Sequence, residues 1–218
     1  MIRIEKGDAP PFLTANSAAW TATVVSKLAK GEEPTKTEKG RYNHPDIKSA
    51  LVAETHGKCA YCESKLRHVT FGDIEHVVPK SSNPAKWFSW SNLTLACDVC
   101  NTKKSNATID HETFVDPYVA DPEQEFWHVG ALIYPRPGRD AAALTEHLLE
   151  LNRAELFERR AARITALMKM LEVVERCRNP SLKQILWEDF CRETDASKEY
   201  AALSRSVASL AKAKLGYE

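Results

Sequence analysis

The chain has 218 residues, 43% of them apolar, which is enough for a packed core and argues against a disordered chain. Lys plus Arg at 30 equals Asp plus Glu at 30, so no net field draws the protein to nucleic acid or lipid, and any polyanion site must be local. No run of about eighteen uncharged apolar residues occurs, and Met1 to Pro11 carries Glu5 and Asp8 without an apolar stretch, so neither a membrane span nor a secretory signal is expected and the expected compartment is the cytoplasm.

In chain order, Ala18, Trp20, Val24, Val25 and Leu28 recur at three and four residues and predict an amphipathic helix from Thr14 to about Gly31, capped by Thr14 or Asn16. Lys30 to Asn43 is charged and poor in apolar residues, and reads as a connecting loop. Pro45 and Asp46 suit a first helical turn, and Ile47, Ala50 and Leu51 continue it to Gly57. Asp73-Ile74-Glu75-His76-Val77-Val78-Pro79 alternates like a strand, Leu93-Thr94-Leu95 is a second one, and a helix is expected from Asn101. Phe126, Trp127, Leu132, Ile133 and Tyr134 suggest a hairpin closed by Pro135, Pro137 and Gly138. From Ala141 the apolar spacing predicts one long charged helix up to Asn179-Pro180, followed by helices over 180–193 and 196–215. The expected class is α+β, mostly helical, with an N-terminal helical segment (1–55), a central module (56–118) and a C-terminal helical region (119–218).

Six cysteines in a reducing compartment point to metal or inert thiols rather than disulfides. Four form the pairs Cys59-x2-Cys62 and Cys97-x2-Cys100, whereas Cys177 and Cys191 stand alone and read as packing residues on helical stripes. Two such pairs can set four thiolates tetrahedrally about one Zn²⁺, each about 2.3 Å from the metal. The competing reading is four buried thiols in an ordinary core. The pairs are separated by 34 residues, more than the roughly 15 to 20 of a simple zinc ribbon, and the insert reads as the active site.

That insert holds Glu75-His76 leading to Pro79-Lys80, then Asn92-Leu93, then Cys100-Asn101 with Lys103 and Lys104. With the two cysteine pairs around it, this order resembles the HNH endonucleases, whose ββα-metal fold carries an acid-His pair on its first strand, an Asn at the second and a His or Asn in the helix. The resemblance implies that His76 is the general base, that Glu75 and Asn101 hold a catalytic divalent ion, and that the cysteines Cys59, Cys62, Cys97 and Cys100 hold a structural zinc. Cys59-Ala60-Tyr61-Cys62-Glu63, Pro79-Lys80-Ser81, Trp90-Ser91-Asn92-Leu93, Ala96-Cys97 and Leu149-x-Leu151-Asn152-Arg153 narrow the likeness to the nuclease subunit of Septu and its retron-associated relatives in bacterial anti-phage defence. That narrower likeness implies an ATPase partner encoded beside the nuclease.

The residues themselves suit hydrolysis of a phosphodiester. An imidazole with an ordinary pKa near 6.5 accepts a proton at neutral pH, which suits His76 as base, and the oxygens of Glu75 and Asn101 favour Mg²⁺ or Mn²⁺, which keep several waters. On a regular strand the Glu75 and His76 side chains take opposite faces, so serving one reaction centre requires a local twist or bulge. Asn92 is expected to brace the loop through backbone bonds, and Asp73 is a weaker candidate for orienting His76. Over residues 57–106 seven Lys and Arg face four Asp and Glu, a modest basic bias in which Lys80, Lys103 and Lys104 are the expected phosphate contacts. Trp87, Phe88 and Trp90 read as an apolar brace more than as base-stacking groups, and the remaining histidines as surface or packing residues. The expected activity is metal-dependent cleavage of DNA with little sequence readout. The alternatives are a catalytically silent zinc-ribbon adaptor and a stand-alone HNH restriction enzyme.

Overall fold

Pro10 and Pro11 open the first helix. A proline at the first helical position gives up an N–H that has no partner in any case, so α1 runs Pro11–Ala29 and starts before the expected caps at Thr14 and Asn16. The computed structural model describes residues 1–66, 72–105, 107 and 113–216, which leaves the predicted surface histidines His68 and His111 outside it. Inside the expected loop, Thr35 and Glu38 cap each other's backbone N–H groups and nucleate α2 (Lys36–Gly40). α3 (Pro45–Glu54) forms as its Pro-Asp start predicts, with His44 Nδ1 accepting from the Asp46 N–H at 3.3 Å.

β1 (Asp73–His76) pairs antiparallel with β2 (Leu93–Ala96), with Ile74 opposite Leu95 and His76 opposite Leu93. Two 3₁₀ turns, Pro84–Lys86 and Trp90–Asn92, occupy the connection. α4 (Asp98–Lys104) follows directly, capped by the Cys97 side chain, so the helix expected from Asn101 begins three residues, nearly a full turn, earlier. This completes the ββα order. α5 (Pro122–Glu125) then leads into the expected hairpin of β3 (Phe126–Val129) and β4 (Leu132–Pro135).

The single long helix expected from Ala141 is two helices, α6 (Asp140–Leu149) and α7 (Ala154–Arg176). Glu150 takes a left-handed conformation at φ 45°, and the Asn152 amide donates to the Ile133 carbonyl at 2.7 Å while accepting from the Ile133 N–H at 2.8 Å. Hydrogen bonds to β4 thus replace those a continuous helix would have made. α8 (Pro180–Arg192) and α9 (Ala201–Leu215) complete the chain. Cys191 is half-buried on α8 against an apolar cluster, but Cys177 lies beyond the end of α7, its Sγ donating to the Asn179 carbonyl at 3.5 Å, not on a helical stripe.

One apolar cluster extends from Leu13 and Val24 of α1 through Ile47, Leu51 and the four paired cysteines to Leu149, Leu156 and Leu203. It draws on all three expected regions. A smaller cluster of Leu167, Leu171, Val174, Trp187 and Phe190 joins α7 to α8 and, through Ala208 and Ala211, to α9. Among the described residues no helix is long and apolar enough to cross a membrane.

Candidate active site

Gly57, at φ 68°, turns the chain out of α3 into the first cysteine pair. There the Cys59 N–H donates to Ser64 O and the Ala60 N–H to Leu95 O, both at 2.9 Å, so the turn is tied to β2. The second pair opens α4, with Cys97 Sγ accepting from the Cys100 N–H at 3.3 Å. All four sulfurs are buried and lie within 4.8 Å of one another, and Cys62 and Cys97 are 3.9 Å apart. Tetrahedral thiolates about 2.3 Å from Zn²⁺ stand about 3.8 Å from each other, so this donor set fits a structural zinc. Two residues that precede C-terminal helices, Arg153 before α7 and Tyr200 before α9, support the cage. Arg153 Nη2 reaches Cys100 Sγ at 3.8 Å, and Ser64 Oγ, which accepts from Cys62 Sγ at 3.4 Å, bonds the Tyr200 hydroxyl at 2.9 Å. Burial lowers the Arg153 pKa, but the thiolates of Cys100 and Cys62 outweigh it and hold the guanidinium above its ordinary value.

β1 presents two different faces, as a regular strand must. Asp73 and Glu75 turn toward α4, where the Asn101 amide donates to Asp73 Oδ2 at 3.0 Å and Lys104 Nζ to Glu75 Oε1 at 2.5 Å. Asn101 and Lys104 lie one helical turn apart, so strand and helix are joined by two parallel rungs. Lys104 also donates to the His76 carbonyl at 2.8 Å and is 1% exposed, which corrects the expectation of an exposed phosphate contact. Burial raises the Glu75 pKa, and the Lys104 charge opposes that rise only in part. Lys103 is likewise engaged, at 2.6 Å from Glu150.

His76 sits on the other side, 4% exposed, its Nε2–H donating to the Trp87 carbonyl at 2.9 Å. Because a carbonyl only accepts, this bond leaves the lone pair on Nδ1. Burial first, then the charges of Lys80 and Lys104, push the His76 pKa down to about 3, so the ring is neutral throughout the physiological range. Asn92 is buried in the connection between the strands, where its Oδ1 accepts from the Val78 N–H at 2.7 Å and its Nδ2 donates to Val78 O and Lys86 O, each at 3.0 Å. Trp87 and Phe88 are buried beneath it.

Tyr42, from the segment between α2 and α3, was not anticipated. Its ring meets that of His76 edge-on at 4.5 Å between centroids, and its hydroxyl accepts from Lys80 Nζ at 3.1 Å. The local sequence Gly-Arg-Tyr-Asn-His carries no periodicity that could have flagged it, because only the tertiary fold brings residue 42 to residue 76. Arg153 falls within a stretch that already carried the likeness to defence nucleases, but its contact with the cage had no local sign.

Residues 59–107 match the family model described as HNH endonuclease. These residues form an HNH endonuclease domain. The chain is also similar to a Septu protein PtuB of Bacillus thuringiensis, 32% identical over 117 residues that cover 51% of this chain and 44% of that protein. A second Septu protein PtuB, from Bacillus mycoides (strain KBAB4), is 25% identical over 196 residues, covering 74% of this chain and 66% of the relative. The chain thus spans less than two thirds of the length of each of these relatives.

Proposed function

We propose that the protein is a metal-dependent endonuclease that hydrolyses DNA phosphodiester bonds as the nuclease subunit of an anti-phage defence complex, with an ATPase from a neighbouring gene as its partner and the cytoplasm as its compartment. The observation that carries the catalytic part is the fixed tautomer of His76: its Nε2–H is held by the Trp87 carbonyl, which leaves the Nδ1 lone pair as the proton acceptor, and the negative charge of a bound phosphate is needed to lift the ring from its depressed pKa. On the opposite face of β1, whose regular pairing contains no bulge, the two rungs to α4 carry the oxygens of Asp73, Glu75 and Asn101, donors of the hard type suited to Mg²⁺ or Mn²⁺, so a substrate phosphate would have to bridge the strand edge to meet both the ion and His76. Glu75 and Asn101 are the residues that would hold the ion, which when bound supplies charge stabilisation at the phosphate and at the leaving 3′ oxygen.

His76 Nδ1 removes a proton from water, and the Nε2–H bond to Trp87 disperses the charge the ring then gains. Lys104 limits the negative charge on Glu75 before any ion arrives. Asn92 ties both ends of the connecting loop, keeping the Trp87 carbonyl in place. Lys80 is the phosphate contact nearest the base, with Lys103 as a peripheral one once released from Glu150. The partner and the defence role rest on the likeness to the Septu proteins.

A plasmid-cleavage assay with Mg²⁺ or Mn²⁺ tests this reading. The purified protein is expected to cut and the His76→Ala variant to lose at least about 100-fold in rate. A wild-type protein that binds DNA but never cuts, alone or with the neighbouring-gene product, would leave the adaptor reading standing instead.

A further inference from the structure

The segment between α2 and α3 lies outside the matched HNH residues 59–107, yet it is built into the site. His44 stacks on Phe12 of α1 at 3.7 Å between centroids, and Arg41 stands over the Trp20 ring at 5.9 Å. Trp20 in turn meets Phe88 edge-on at 5.4 Å, beside the Trp87 carbonyl that holds His76. Tyr42 is thereby fixed between two anchored neighbours. Its ring walls one side of the His76 imidazole, and its hydroxyl holds the Lys80 ammonium, which also lies 4.8 Å from the Tyr42 centroid and 5.7 Å from the Trp87 ring.

We propose that Tyr42 is a positioning residue of the nuclease site. Its ring fixes the orientation of His76, and its hydroxyl stations Lys80 beside that ring as the clamp for the scissile phosphate. A lysine has long, freely rotating arms, and holding one in place removes an ordering cost that substrate would otherwise bear. The edge-on aromatic contact likewise restricts rotation of the imidazole about its hydrogen bond to the Trp87 carbonyl. This inference rests on the proposed nuclease reading, and the two are separable by experiment.

The test uses the full chain in steady-state cleavage of a DNA duplex with Mg²⁺ or Mn²⁺, together with ¹⁵N NMR of the His76 ring, which reports its tautomer without turnover. Tyr42→Phe keeps the ring and loses the hydroxyl, so KM is expected to rise about 3- to 10-fold with a smaller effect on kcat. Lys80→Ala is expected to raise KM at least as much, and the double variant to be no worse than Lys80→Ala alone, because the hydroxyl acts through that lysine. Tyr42→Leu is expected to lower kcat about 10- to 100-fold and to mix the Nδ1–H and Nε2–H tautomers, with zinc content unchanged. Additive effects of Tyr42→Phe and Lys80→Ala, or a Tyr42→Leu protein with wild-type kinetics and a single tautomer, would overturn the proposal. An inert wild-type protein whose tautomer still mixes in Tyr42→Leu would instead count against the nuclease reading and leave the positioning of His76 intact.

Discussion

Lys104 shows how far one side chain departs from its apparent role. In the sequence it is a lysine on a helix next to another lysine, a pattern that reads as an exposed phosphate contact. In the fold its ammonium is buried between the Glu75 carboxylate and the His76 carbonyl. Lys104→Met is therefore expected to strand a buried carboxylate and destabilise the protein by about 3 to 5 kcal/mol, measured by urea unfolding. Pairing it with Glu75→Gln is expected to recover most of that loss, since the uncompensated charge is then gone. The cysteine pairs, by contrast, were fully legible, because a metal cage constrains spacing within short turns. Burial of a lysine depends on what the remainder of the chain stacks above it, and no local pattern records that.

At the level of elements, the ββα order, α3 and the β3–β4 hairpin could be read directly from alternation, proline placement and aromatic clustering. The capping box of α2 was present as Thr-x-x-Glu but lay inside a charged stretch without apolar spacing. The break between α6 and α7 had no proline or glycine to announce it, as it depends on Asn152 bonding the backbone of β4. Gly72 gives a sharper example of backbone demand. It sits at φ 63° just before β1, and a Cβ there would lie 2.6 Å from Leu66 Cδ1 and 3.2 Å from the Ala96 carbonyl. Gly72→Ala is expected to cost about 1 to 3 kcal/mol through this clash and the left-handed backbone, and to loosen the strand carrying Glu75 and His76. Thermal unfolding followed by circular dichroism measures it, with a melting temperature within one degree of wild type as the contrary outcome.

Two histidines, His76 on β1 and His128 on β3, give the whole protein a common pH response. Burial pushes both His76 and His128 down to about 3, with positive charges adding to the effect. The unfolded chain, where such groups titrate near 6.5, therefore binds protons that the folded chain refuses. Stability is present in full above about pH 6.5 and is lost progressively as the pH falls toward 3. Denaturant unfolding between pH 5 and 8 is expected to show this slope, with an uptake approaching two protons, and His128→Asn is expected to flatten it by about half. The sequence set His76 apart by its place in the insert but left His128 among the surface or packing histidines. Which of them titrate abnormally follows from three-dimensional enclosure alone.

The cysteine cage also acts topologically, as a covalent-like cross-link. With a shared ion bound, Cys62 and Cys97 would close a loop of 34 residues, which on a chain-entropy argument removes about 4 kcal/mol of disorder from the denatured ensemble. β1, its connection and β2 all lie within that loop, so opening the cage releases the whole β1–β2 unit at once. Titration with a zinc-selective chelator in saturating Mg²⁺ is accordingly expected to remove zinc and folded β1–β2 structure in strict proportion, as followed by metal analysis and circular dichroism.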